Sequence, residues 1–264
     1  MTIEEFQQFF LIYSMTLPRL FGCFIMLPIL SKQMLGSALL RNGVLCSLAI
    51  YLYPVVSEQA HPSSVDGIML VLLLMKEILL GLLISFIAAI PFWAIEATGF
   101  FIDNQRGATL ASAFNPALGH QSTPTGVLFT QTLITLFFVS GSFIAFMGAV
   151  FDSYRHWPVM TFFPEISDQW IDFFYGQFEQ MLTLCVLMAA PIVIAMFMAE
   201  FGLALISRFA PQLNVFSLSM PIKSGIASFL LILYVATLMH FFSDEILKLA
   251  DFTNLLGPTI GVDR

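Results

Sequence analysis

Six apolar runs constrain this chain more than any other feature, at roughly 6–30, 38–56, 67–95, 126–151, 180–206 and 224–247. Each is near the ~20 residues that a helix needs to cross a hydrocarbon core of about 30 Å. In lipid every backbone N–H and C=O must find its partner inside the protein, so runs of this length read as helices. The fold class expected is all-α, a membrane protein of about six hydrophobic helices. Composition agrees, with 58% hydrophobic residues, 10% charged and a mean hydropathy of +0.89, far from soluble averages. Pro18, Pro28, Pro91 and Pro191 fall within the runs, each removing a backbone hydrogen bond, so kinked helices are expected.

Several functions are excluded or left without support. The net charge of -7 and the scattered basic residues argue against nucleic acid, whose phosphates ask for clustered Lys and Arg. Cys23, Cys46 and Cys185 lie in apolar runs without C-x-x-C spacing, which speaks against a disulfide framework or a zinc site. His61, His120, His156 and His240 form no H-E-x-x-H pair, and no phosphate loop or G-x-S-x-G elbow occurs. No catalytic, cofactor or metal residue is expected. The acidic start Met1-Thr2-Ile3-Glu4-Glu5 lacks the basic region of a signal peptide, so the first helix reads as retained. Lys32, Arg41, Arg106, Arg208 and Lys223 fall on loops of one parity, which places the N-terminus outside the cytoplasm if all six runs cross.

Charges inside or beside the apolar runs are the informative exceptions: Arg19, Lys76, Glu77, Glu96 and Glu200. Each is costly against lipid and should face protein, water or an opposite charge. A secondary transporter would use such residues as proton or ion sites, and a multi-subunit assembly would use them as pairs between helices or subunits. The sequence alone leaves both open. Small residues one turn apart (Gly81, Ser85 and Ala89; Gly141, Ala145 and Ala149; Ala195 and Ala199) predict close helix packing.

Three irregular stretches punctuate the runs. Residues 107–151 carry no Asp, Glu, Lys or Arg, while 107–125 are rich in Gly, Ala, Ser, Thr, Asn and Pro, too broken for a spanning helix. Segment 105–125 therefore reads as a re-entrant loop at membrane depth, tolerated only if buried in protein or lining a cavity. Over 165–180, Glu165, Asp168, Asp172 and Glu179 fall opposite Trp170, Phe174, Phe178 and Met181, predicting an interfacial amphipathic helix. Joined to the fifth run it would be roughly twice as long as the bilayer core is thick, so it should tilt, break near Pro191 or rise out of the bilayer. Residues 207–223 form a polar corner, with Arg208, Pro211, Gln212, Asn214, Phe216, Pro221 and Lys223 between two apolar runs.

The corner, from Ser207-Arg208-Phe209-Ala210-Pro211-Gln212-Leu213-Asn214 to Pro221-Ile222-Lys223, resembles a signature of the T component of the type III secretion export apparatus. This is the SctT/YscT/SpaR family, with FliR as its flagellar counterpart. Gly22 to Leu30, Ser31-Lys32-Gln33, Lys76-Glu77 with Leu79-Leu80-Gly81-Leu82, Ile102-Asp103-Asn104-Gln105-Arg106-Gly107-Ala108 and Pro124-Thr125-Gly126 fall in the family's order. The resemblance covers nearly all of residues 1–264, as one export-apparatus domain, and the injectisome branch fits better than the flagellar one.

The resemblance implies a multi-pass protein of the bacterial inner membrane, its helical hairpins packed into a spiral with the R and S components and meeting the U component. It implies a structural and gating role in passing unfolded protein substrates, with no enzymatic activity and no cofactor. Arg106, Gly107, Leu110, Ala113, Phe114, Asn115 and Pro116 would belong to a plug that closes the channel. Arg208, Pro211, Gln212, Asn214, Phe216 and Lys223 would hold the corner against neighbouring subunits. The alternative is a proton- or ion-coupled small-molecule transporter using Glu77, Glu96 and Glu200 near the midplane.

Overall fold

The computed structural model describes residues 3–30, 36–59, 67–108, 123–162, 170–210, 212 and 214–248. Among these the regular elements are helical: α1 (Ile3–Met26), a 3-10 turn at Pro28–Leu30, α2 (Ala38–Gln59), α3 (Gly67–Gln105), α4 (Pro124–Val139), α5 (Ser142–His156), α6 (Trp170–Ser207) and α7 (Val215–Lys248). Helices α1, α2, α3, α6 and α7 are each long and apolar enough to cross a membrane. The fourth apolar run is split into α4 and α5, bent by 73° at Ser140–Gly141, either a broken span or a re-entrant pair. Gly141 carries the break at φ 78, a left-handed backbone open to glycine and strained for other residues. The all-α membrane architecture expected from the runs is the one observed.

Two helices exceed a bilayer. At 1.5 Å per residue the 39 residues of α3 and the 38 of α6 extend about 58 and 57 Å, roughly twice the ~30 Å core. Both run through an internal proline, Pro91 and Pro191, so of the outcomes left open for α6 a break near Pro191 is the one that does not occur, and tilting or rising out of the bilayer remain. The amphipathic stretch joins the fifth apolar run in one helix, as its length had allowed. Its first residues lie outside the described ones, and 170–180 are the opening turns of α6, continuous with the apolar run behind them.

The chain divides into two compact units, Met1–Ile90 with Ser140–Gln177 and Leu247–Arg264, and Pro91–Val139 with Phe178–Ile246. In the first, α1 lies directly on α3. A Cβ on Gly81 would sit 2.1 Å from the Arg19 carbonyl oxygen, and one on Gly22 would sit 2.4 Å from that of Ile78. Ser85 Oγ donates to the Gly22 carbonyl at 3.3 Å, and Ala89 is buried one turn further on. The predicted stripe Gly81-Ser85-Ala89 is thus a helix-packing face. Tyr13 OH donates to the Cys46 carbonyl of α2 at 3.0 Å, and the Phe24 ring meets Phe146 of α5 edge-on at 6.0 Å.

In the second unit, Phe92 of α3 meets Phe137 of α4 edge-on at 5.5 Å. Thr98 Oγ1 reaches the Cys185 carbonyl of α6 at 3.5 Å, Tyr234 OH of α7 reaches Met188 Sδ at 3.7 Å, and Gln180 Nε2 donates to Glu245 Oε1. Phe229, Ile232 and Leu233 of α7 point outward, 63%, 76% and 63% exposed, a surface suited to lipid or to other apolar helices.

The α1–α3 contact makes a direct prediction. Gly81→Ala forces backbone against backbone and should destabilise the chain by about 1–3 kcal/mol. Gly148→Ala, where nothing lies within 4 Å, should be neutral or stabilising by up to about 1 kcal/mol. Thermal unfolding of both variants in detergent tests the contrast.

Candidate functional site

The end of α3 and the start of α4 flank the segment expected to be a re-entrant loop, whose residues 109–122 lie outside the described ones. Helix α3 closes with a glycine cap. Gly107, at φ 81, donates from its N–H to the Asn104 carbonyl at 3.1 Å, and Ala108 N–H reaches back to the Asp103 carbonyl at 3.0 Å. This pair of bonds satisfies carbonyls that a helix end otherwise leaves open. Gly107 also rests 3.6–3.7 Å, measured from an ideal Cβ, from the Met220 side chain of α7.

Helix α4 opens with an equally complete cap. Thr123 precedes Pro124, whose missing N–H costs nothing at the first helical position. Gly126 N–H reaches Thr123 Oγ1 at 3.3 Å and Val127 N–H reaches the Thr123 carbonyl at 2.9 Å. The remaining donor, Thr125 N–H, is met from α3: Asp103 Oδ2 accepts it at 2.8 Å and Asp103 Oδ1 accepts the Thr125 hydroxyl at 2.6 Å. Arg106 Nη2 lies 2.6 Å from Asp103 Oδ1 and donates to Thr125 Oγ1 at 3.0 Å. Asp103 is fully buried, at the positive end of the α4 dipole, and is neutralised by Arg106.

Backbone contact locks the same junction. A Cβ on Gly99 would lie 2.5 Å from Gly126 Cα, and one on Gly126 would lie 3.1 Å from the Glu96 carbonyl. Of the residues expected in the plug, Arg106 and Gly107 are found at the capped end of α3. Leu110, Ala113, Phe114, Asn115 and Pro116 lie outside the described residues. Asp103 is a site residue that the sequence reasoning misses. The signal for it is a lone carboxylate one turn before a glycine cap, followed by Thr-Pro-Thr-Gly, a helix start in need of an acceptor.

A second polar cluster sits in the first unit. Arg19 and Glu77, both fully buried, form a two-pronged pair, Nε to Oε2 at 2.6 Å and Nη2 to Oε1 at 3.0 Å. Arg19 Nη1 donates to Ser153 Oγ at 3.0 Å, Nη2 donates to the Trp157 carbonyl at 2.9 Å, and the guanidinium lies 4.0 Å over the Tyr154 ring. Lys76 Nζ lies 2.8 Å from Glu77 Oε1 and donates to the carbonyls of Val159 and Thr161 at 2.8 and 2.9 Å. One carboxylate thus serves two cations, and α1, α3, α5 and the turn after α5 converge on it.

The other two charges are less enclosed. Glu96 is half-buried beside Gly126. Glu200, with a side chain 44% exposed, accepts from Lys223 Nζ at 3.0 Å, which ties α6 to α7. At the corner, Asn214 caps α7: its carbonyl accepts from the Leu218 N–H at 3.2 Å and the Ser217 hydroxyl at 3.1 Å. Arg208 and Gln212 are exposed, Pro211 lies outside the described residues, and the same holds for the side chain of Phe216. No His, Cys, Asp and Glu group able to hold a metal ion occurs among the described residues.

Residues 10–249 match the family described as bacterial export proteins, family 1. The chain belongs to that family. It is 55% identical over 98% of its length to the Yop proteins translocation protein T of Yersinia pestis, covering 99% of that protein. It is 33% identical to the secretion system apparatus protein SsaT of Salmonella typhimurium over 84% of this chain and 85% of that one. To the flagellar biosynthetic protein FliR of Bacillus subtilis it is 27% identical over 89% of each. These relatives span the SctT/YscT/SpaR family and its flagellar counterpart, as the sequence motifs had indicated. The chain is accordingly a multi-pass membrane protein of a bacterial export system and a structural component rather than an enzyme.

The two ion clusters should differ in weight. Glu77→Gln leaves two buried cations with no counter-charge and should cost about 3–5 kcal/mol. Glu200→Gln opens a half-exposed pair and should cost no more than about 1 kcal/mol. Unfolding midpoints of the two variants, compared in one detergent, check the ranking.

Proposed function

We propose that the chain is the T component of a type III protein secretion export gate in the bacterial inner membrane, completing a channel wall with the R and S components and meeting the U component. The observation that carries the reading is the 55% identity, over 98% of this chain and 99% of the other, with a protein named for Yop translocation. The unfolded secreted substrate passes the wall, and residues 106–116 help seal it between passages. Small, uncharged groups over 107–116 suit a seal, because they grip no particular side chain and offer little hold to ions.

The geometry at the base of that segment supports the role. A seal must return to one position after each opening, and the chain leaves α3 and enters α4 through two fully capped helix ends joined by the Asp103 carboxylate. The outward apolar faces of α6 and α7 suit neighbouring helical subunits, and exposed Arg208 and Gln212 suit polar contacts with them at the corner.

Mild-detergent purification of the tagged chain from its host, read by native mass, should give a large complex containing other small helical membrane proteins. In that complex, deletion within 110–116 should raise ion conductance across the membrane while leaving the mass unchanged. A chain that purifies repeatedly as a monomer or homodimer removes the assembly, and unaltered conductance in an intact complex removes the seal.

A further inference from the structure

The charges of the Arg19–Glu77–Lys76 cluster do not cancel. Glu77 carries one negative charge, and its two-pronged pair with Arg19 already balances it. Lys76 brings a second positive charge to a place where it is 8% exposed, and nothing in the Arg19–Glu77 pair calls for it. Its ammonium has three donors to place. One partner is Glu77 Oε1 at 2.8 Å; the others are backbone, the Val159 carbonyl at 2.8 Å and the Thr161 carbonyl at 2.9 Å, with the Pro158 carbonyl at 3.4 Å beside them.

We infer that the turn 157–161 is a carbonyl cradle for a primary ammonium, and that Lys76 is the ligand the chain itself supplies to it. Carbonyl oxygens that converge on one spot replace the water around a cation and repel one another without it. Val159 is buried, and among the described residues its carbonyl accepts from Lys76 and from no other donor. The turn closes on itself elsewhere, where Thr161 donates its N–H and its hydroxyl to the Pro158 carbonyl at 3.2 and 2.8 Å. Shape makes the cradle selective. A guanidinium donates in one plane, as Arg19 does to Glu77, Ser153 and the Trp157 carbonyl, whereas the cradle takes donors in three directions from one nitrogen. Thr161 is exposed and Trp157 half-buried, so a small ion in solution can reach the site.

Lys76→Ala empties the cradle without stranding a buried charge, since Arg19 still balances Glu77, and n-propylammonium returns the atoms that the substitution removes. The full chain, labelled with fluorotryptophan and purified in mild detergent, reports through Trp157. That ring lies 5.9 Å from Lys76 Nζ, and its indole N–H donates to the Thr161 carbonyl at 3.2 Å. Trp157→Phe assigns the fluorine resonance. Lys76→Ala should displace and broaden it, and n-propylammonium chloride should return it saturably to the parental position. Tetramethylammonium chloride, which has the charge without the donors, and n-propanol at the same concentration should leave it displaced. Lys76→Arg should leave it displaced as well.

A resonance unmoved in Lys76→Ala overturns the inference, because the turn then holds its form without a cation. So does a displacement that n-propylammonium fails to reverse. A return as full with tetramethylammonium, or a parental position in Lys76→Arg, overturns the ammonium class. Lys76→Met, which fills the space without donors, serves where the smaller residue does not fold: it should displace the resonance, and a parental position there also overturns the cradle.

Discussion

A carboxylate that serves two cations in an apolar interior is the interaction on which the first unit depends. Glu77 has no solvent to share its charge with, and Arg19 and Lys76 have none either, so each is bound by what the other two require. The consequence reaches beyond the pair. Arg19 spends its remaining donors on Ser153 and the Trp157 carbonyl, and Lys76 spends its own on Val159 and Thr161, which fixes α5 and the turn after it. The apolar contacts of α1 and α3 at Gly22 and Gly81 allow the approach, but they are not selective for register in the way a two-pronged ion pair is.

The second unit answers the same constraint at helix ends. An α-helix stopping at membrane depth exposes carbonyls at one end and N–H groups at the other, and lipid satisfies neither. Here the glycine cap at Gly107 closes α3 and the Thr123-Pro124 start closes α4, with Asp103 supplying the last acceptor. The chain can end one helix and begin the next there because both helix ends are capped within the described residues. The corner before α7 follows the same rule through Asn214.

The presence and rough placement of the membrane-length helices were legible because apolar runs of spanning length have one backbone solution in lipid. The break of the fourth run at Ser140–Gly141 was not, since its residues are uncharged throughout and a bend of 73° leaves no trace in hydropathy. Continuity through Pro191 was hidden for the converse reason: proline weakens a helix locally, and packing decides whether it ends. Buried charges could be picked out singly, but their partners could not. Arg19 and Glu77 are 58 residues apart, and Ser153 is 134 residues from Arg19, separations over which composition carries no pairing information. Asp103 has no distinguishing mark in the sequence because its partner Thr125 lies 22 residues away and is met only when α4 is brought against α3.

The same geometry weighs on the transporter alternative. Glu77 is committed to the Arg19 guanidinium at 2.6 Å and the Lys76 ammonium at 2.8 Å, all three side chains being buried. Glu200 is held by Lys223 at 3.0 Å. Of the three glutamates that reading requires, two are already committed to cations within the chain. The Arg19–Glu77–Lys76 cluster inside the first unit, and the capped end of α3 against the capped start of α4 inside the second, describe a framework held by pairs made within the chain itself.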